Sequence, residues 1–94
     1  MPVMEVDKDV LEADGVDLDG QCQIVLYNDD VTPMDIVVMA LCRVFGHDIE
    51  LAKKIMLEAN NNGRSIAEVE GRQEAVAHKE QLQSYGLTAE VEEI

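Results

Sequence analysis

Only Gly46 and His47 separate two apolar-striped segments of this chain, and that spacing constrains the fold more than any other feature. The first segment places Met34, Val37, Val38, Leu41 and Phe45 at i, i+3, i+4, i+7 and i+11, a single helical stripe. Ahead of it, Thr32 is the expected N-cap, Pro33 suits the first helical position, and Asp35 can reach back as a capping-box acid. Gly46 ends this helix. The second begins at Asp48, an expected N-cap, and turns Ile49, Ala52, Ile55, Met56 and Ala59 inward with Leu51 on a flank. Lys53 and Lys54 fall on its outer face, and Asn60-Asn61-Asn62-Gly63 stops it with residues that favour left-handed caps. So short a joint predicts a tightly packed helical pair.

The flanking sequence predicts strands. Residues 21–27 put Cys22, Ile24 and Leu26 on one face, and residues 64–69 set Ile66, Ala67 and Val69 among polar neighbours. Residues 72–84 read as a polar third helix with a thin apolar edge of Ala75, Leu82 and Val76, ending at Gly86. Residues 88–92 alternate, with Ala89 and Val91 against Thr88, Glu90 and Glu92, as a half-exposed strand does. The order βααβαβ predicts an α+β domain: a three-stranded sheet with three helices packed on it. It occupies residues 21–94. Residues 1–20 differ from the rest, with seven acids, one base and no sustained apolar period, and are expected to form a flexible acidic arm. Within it, Asp17-Leu18-Asp19-Gly20 lacks the acid at position 15 and the Glu at position 26 that a calcium loop needs.

Charge then narrows the partners. Seven Lys and Arg face twenty Asp and Glu, a net charge of −13, and only three residues are aromatic. Neither nucleic acid nor an anionic membrane suits such a chain, whereas cationic ligands do. No apolar run approaches a membrane span, and Met1 is not followed by a basic-then-apolar leader. Cys22 and Cys42 have no metal-ligand spacing and read as small, buried or half-buried side chains. His47 and His78 have no Cys, Asp or Glu at metal spacing and read as exposed polar residues. No phosphate loop or nucleophile elbow occurs. The expectation is therefore a protein without catalysis, metal or cofactor, and a monomer.

The informative cluster is Asn28-Asp29-Asp30 just before the Thr32-Pro33-Met34 helix start. Taken alone, it supports two readings. The acids can simply cap the helix and complement its dipole, with the methionines as core filler. Alternatively, carboxylates and a carboxamide beside an apolar stripe suit a cation on an apolar body, such as a peptide's α-ammonium and first side chain. In that reading Met34 and Met56 line a pocket for the side chain.

The stretch Leu26-Tyr27-Asn28-Asp29-Asp30-Val31-Thr32-Pro33-Met34 resembles the signature of the ClpS family, adaptors of the Clp ATP-dependent protease. The likeness continues through Val37-Val38, Phe45, Ala52-Lys53-Lys54-Ile55-Met56-Leu57 and Asn62-Gly63-Arg64, and is weaker from Arg72 to Glu92. It implies the βααβαβ fold and a non-catalytic adaptor that binds N-terminal degrons, a free α-amine with a bulky apolar first residue. Substrates would then pass to the Clp AAA+ unfoldase, whose N-terminal domain is the implied partner. By this resemblance Asn28, Asp29 and Asp30 contact the α-amine, Thr32, Met34, Val37, Met56 and Ala59 line the side-chain pocket, and Met34 gates against β-branched residues. The acidic arm is implied to be engaged by the unfoldase, and Lys79 to lie in the docking surface. Two positions depart from the family. Asn60 stands where a histidine is usual, and Thr88 is the nearest candidate for an apolar residue near the last strand. These departures motivate an alternative, a Clp-docking modulator that does not read N-termini. A bacterial cytoplasm is the expected location, with a plastid stroma as the other compartment the resemblance allows.

Overall fold

The computed structural model describes residues 20–94. Its elements are β1 (Gln21–Tyr27), α1 (Met34–Phe45), α2 (Ile49–Asn62), β2 (Arg64–Gly71), α3 (Arg72–Ser84) and β3 (Ala89–Glu93). The expected acidic arm of residues 1–20 lies, but for Gly20, outside the described residues. β1 is central in an antiparallel sheet of order β2-β1-β3. The helices cover the face that carries Cys22, Ile24 and Leu26, all buried, and these pack with Leu41, Ala52, Ile55, Leu82 and Leu87. The α+β fold expected from the element order is the one observed.

Differences from the sequence reading are local and have physical causes. Ala67 is an extra residue on β2, since Ile24 pairs with Glu68 while Val25 pairs with Ile66. Ser65 and Ala67 face the core by alternation with Ile66 outside, and the bulge shifts the phase so that Val69 also faces outward; Ile66 and Val69 are 39% and 47% exposed. Ile49, expected inside, is 57% exposed because it opens the first turn of α2, beyond the edge of the core. Neither histidine is a freely exposed residue. The His47 Nε2 is 2.8 Å from the Ala67 carbonyl oxygen, and the ring stacks on Phe45 at 5.2 Å. His78 meets the edge of Phe45 and pairs with Glu70 at 2.5 Å, so both rings are half-buried struts between helices and sheet. Cys22 is buried and Cys42 half-buried, both free thiols.

Asp48 caps α2 as expected, its side chain accepting from the Leu51 N–H at 2.9 Å. Asp48→Ala should lower unfolding free energy by about 1 kcal/mol, the usual cost of a lost cap, in urea denaturation with an unchanged slope. Gly63 ends α2 at φ 90°, a conformation a side chain disfavours, and its carbonyl accepts from the Asn28 N–H at 3.0 Å. The end of α2 is thereby tied to the loop that follows β1.

Candidate functional site

That loop is built by Asp29. Its Oδ1 accepts from the Val31 N–H at 2.8 Å and the Thr32 N–H at 3.2 Å, and its Oδ2 lies 2.7 Å from the Thr32 hydroxyl. Thr32 is thus not the helix cap. Pro33 occupies that position without a side-chain bond, while Asp35 accepts from the Ile36 N–H rather than reaching back. The Thr32 hydroxyl also lies 3.1 Å from the Gly86 carbonyl oxygen, so one residue joins the loop to the turn before β3. Hydrogen bonds from the Thr32 hydroxyl, and then from the two backbone N–H groups, hold the Asp29 carboxyl below its ordinary pKa. It remains a carboxylate throughout the neutral and mildly acidic range.

Above this loop lies a narrow cleft of about 30 Å³, lined by Leu26, Tyr27, Asn28, Asp29, Thr32, Met34, Val37, Met56, Ala59, Asn60 and Leu87. The end of β1, the start of α1 and the end of α2 converge there. Eight of the residues singled out by sequence meet in it: Asn28, Asp29, Asn60, Thr32, Met34, Val37, Met56 and Ala59. Asp30 does not line it; this exposed residue accepts from the Asn28 Nδ2 at 3.4 Å, which leaves the Asn28 carbonyl oxygen unused by that contact. Lys79 lies on α3, away from the cleft.

Thr88 is also placed elsewhere. It is exposed, and its carbonyl accepts from the Tyr27 N–H at 2.9 Å, which prolongs the β1–β3 ladder by one step. The turn at Gly86, φ 94°, instead sends Leu87 inward, where it is 4% exposed and forms cleft wall. Leu26, Tyr27 and Leu87 were missed by sequence reasoning. The inward phase of Leu26 along β1 was an available signal, and so was the apolar Leu87 directly after a turn glycine.

Chemically the cleft has two halves. Asn28, Asp29 and Asn60 offer side-chain oxygens, acceptors that match the three N–H groups of an ammonium. Met34, Val37, Met56, Ala59 and Leu87 are apolar. Among the described residues no group of three His, Cys, Asp or Glu could hold a metal ion.

Residues 18–90 match the family profile described as ATP-dependent Clp protease adaptor protein ClpS. The chain belongs to the ClpS family. A ClpS adapter protein from Leptothrix cholodnii is 42% identical over 62 residues, 66% of this chain and 54% of that relative. One from Campylobacter jejuni is 35% identical over 77 residues, 76% of this chain and 80% of that relative. Against the Leptothrix and Paracidovorax citrulli ClpS relatives, the chain spans only about half of their length (54% and 49%). Among solved structures, Agrobacterium tumefaciens ClpS2 bound to L-phenylalaninamide superposes with a TM-score of 0.71 at 24% identity. That match covers 79% of this chain and 99% of the other, a likeness of fold.

Proposed function

We infer that this protein is a non-catalytic adaptor that binds the free N-terminus of proteins beginning with a bulky apolar residue and passes them to a Clp unfoldase. The observation that carries the reading is the two-part cleft, in which the oxygens of Asn28, Asp29 and Asn60 share walls with Met34, Val37, Met56, Ala59 and Leu87. An α-ammonium lies one carbon from its side chain, so a polar rim adjoining an apolar hole matches both groups together. Family membership supports the adaptor role and the Clp protease as partner. That an A. tumefaciens relative binds L-phenylalaninamide supports the ligand class. Unfoldase docking would use a surface away from the cleft, with Lys79 of α3 in it, in a bacterial cytoplasm.

About 30 Å³ admits one or two waters, not a phenyl ring. Entry therefore requires outward rotation of Met34, which is 58% exposed and unbranched, and of the half-buried Met56. Asn60 supplies an oxygen but no titrating group, and no histidine lines the cleft. Peptide affinity should accordingly be flat from about pH 5 to 7. It should fall above about pH 8 as the ligand's α-ammonium loses its proton. At the acid end, affinity falls only as Asp29 is protonated, below the ordinary value of 3.8. Titration of a labelled peptide across this range checks the profile, and a step near pH 6.5 would contradict it.

Met34→Ala should admit Ile- and Val-initiated peptides by removing the side chain that narrows the mouth, with Leu and Phe retained. Unchanged discrimination in fluorescence anisotropy would place Met34 outside the recognition surface. The reading as a whole is tested with peptides beginning Leu, Phe, Tyr, Trp, Ile, Met and Ala, each free and acetylated. Binding that needs both the free amine and a bulky apolar first residue is the expected result. Absence of binding to every peptide would leave a Clp-docking modulator.

A further inference from the structure

On the far side of Met34 and Met56 lies a second cavity, an open groove of about 620 Å³ between α1 and α2. Its floor and walls are apolar: Val38, Met39, Cys42, Ile49 and Leu57 with the two methionines. Ile49, Leu57 and Met34 are 57%, 47% and 58% exposed, an unusual apolar display for a chain with net charge −13. Arg43, Lys53 and Asp35 also line this groove, two bases against one acid, and neither base forms an ion pair with another described residue. The fitting occupant is a segment that mixes apolar side chains with carboxylates.

This chain contains such a segment. Residues 3–11 carry Val3, Met4, Val6, Val10 and Leu11 interleaved with Glu5, Asp7, Lys8 and Asp9, three acids against one base. The described chain begins at the correct end to deliver it. Cys22 pairs with Glu70, Glu70 holds His78, and His78 touches Phe45, so the start of β1 lies at the Arg43–Ile49 end of the groove. Residues 12–20, at most about 30 Å when extended, suffice to enter a groove whose helical length from Arg43 to Met34 is roughly 14 Å.

We propose that the α1–α2 groove is the docking site for residues 3–11 of the same chain, bound through its apolar side chains and steered by Arg43 and Lys53. Residues 21–94 carry −7 of the total charge, so attraction for an acidic segment is short-ranged, Arg43 and Lys53 supply it locally, and the apolar contact holds the segment. Met34 and Met56 wall both the groove and the cleft, so an occupied groove denies them the space into which they must turn to open the cleft. Docking would thus compete with ligand entry, a consequence that rests on the degron reading; the docking itself does not.

Cys42 lies in the groove and Cys22 is buried in the core, which supplies a built-in reporter and control. In the full chain, Val10→Ser with Leu11→Ser should raise the rate of Cys42 alkylation by iodoacetamide about tenfold, as release of a site covered nine-tenths of the time would. Arg43→Glu with Lys53→Glu should do the same, with Cys22 unreactive throughout. Equal Cys42 rates in wild type and both variants would overturn the proposal. So would a wild-type rate that falls as protein concentration is raised about a hundredfold, which would assign the groove to a second copy. A Phe-initiated peptide, added in parallel, should bind the Val10→Ser, Leu11→Ser chain more tightly than wild type. Faster alkylation with no peptide binding to either chain would retain the docking and sink the degron reading.

Discussion

Asp29→Asn should bind a Phe-initiated peptide at least about tenfold more weakly than wild type, the loss expected when a charge-assisted hydrogen bond becomes a neutral one. The isosteric change matters because it separates the structural duty of Asp29 from the ligand contact proposed for its charge. Its oxygens take three hydrogen bonds that shape the loop, from the Val31 and Thr32 N–H groups and the Thr32 hydroxyl. Asn keeps an acceptor at Oδ1 for the two N–H groups, so the loop retains most of its shape while the negative charge disappears. Asp29→Ala would remove both duties and confuse them. Calorimetric unfolding separates the effects: Asp29→Asn should melt close to wild type at pH 7. The depressed pKa of Asp29 adds a sign that can be checked. Its stabilising contribution is present above the unfolded value of 3.8 and is lost as pH falls through the lower folded value. Wild type should therefore lose more stability than Asp29→Asn between pH 4 and pH 2. Equal losses would mean that the carboxylate does not hold the loop.

Leu82→Ala should be the most damaging single change, lowering stability by about 3 kcal/mol and the melting temperature by roughly 12–24 °C. α3 buries only Ala75 and Leu82, so Leu82 is the sole large side chain that fixes this polar helix to the core. The Leu82 carbonyl also accepts from the Tyr85 and Leu87 N–H groups, which sets the turn that puts Gly86 against Thr32 and Leu87 in the cleft. Peptide affinity should decline as well, at temperatures where the variant is still folded. Val76→Ala, on the same helix at 38% exposure, should cost far less. If both variants melted alike, α3 would be held by something other than Leu82.

The fold was legible because its strongest signals are local. The stripe from Met34 to Phe45, the Gly46-His47 joint and the Asp48 cap all appear in the structure, and β1 occupies Gln21–Tyr27 as expected. What escaped depends on tertiary geometry. The bulge at Ala67 shifts the phase of β2 so that Val69 faces outward as Ile66 does, and no periodicity in eight residues encodes it. Thr32 looked like a helix cap because its type and position suit one. The carboxylate three residues earlier claims its hydroxyl, which a reading of propensity does not weigh. The cleft was legible from Asn28 to Ala59, where residues follow one another at strand and helix spacing. Its fourth wall arrives from the other end of the chain, where the sequence points to Thr88 and the structure places Leu87. A left-handed turn at Gly86 decides which of the two neighbours faces inward.

The central claim is that one cleft recognises a free α-amine together with the side chain it carries. Titration of the isotope-labelled full chain with L-phenylalaninamide, followed by its N-acetyl derivative, tests this directly by NMR. The free amine should shift the amide signals of Asn28, Asp29, Asn60 and Leu87 and the methyls of Met34 and Met56, in saturable fashion, while the acetylated compound leaves them in place. Identical shifts with both compounds, or shifts confined to residues outside the cleft, would contradict the account.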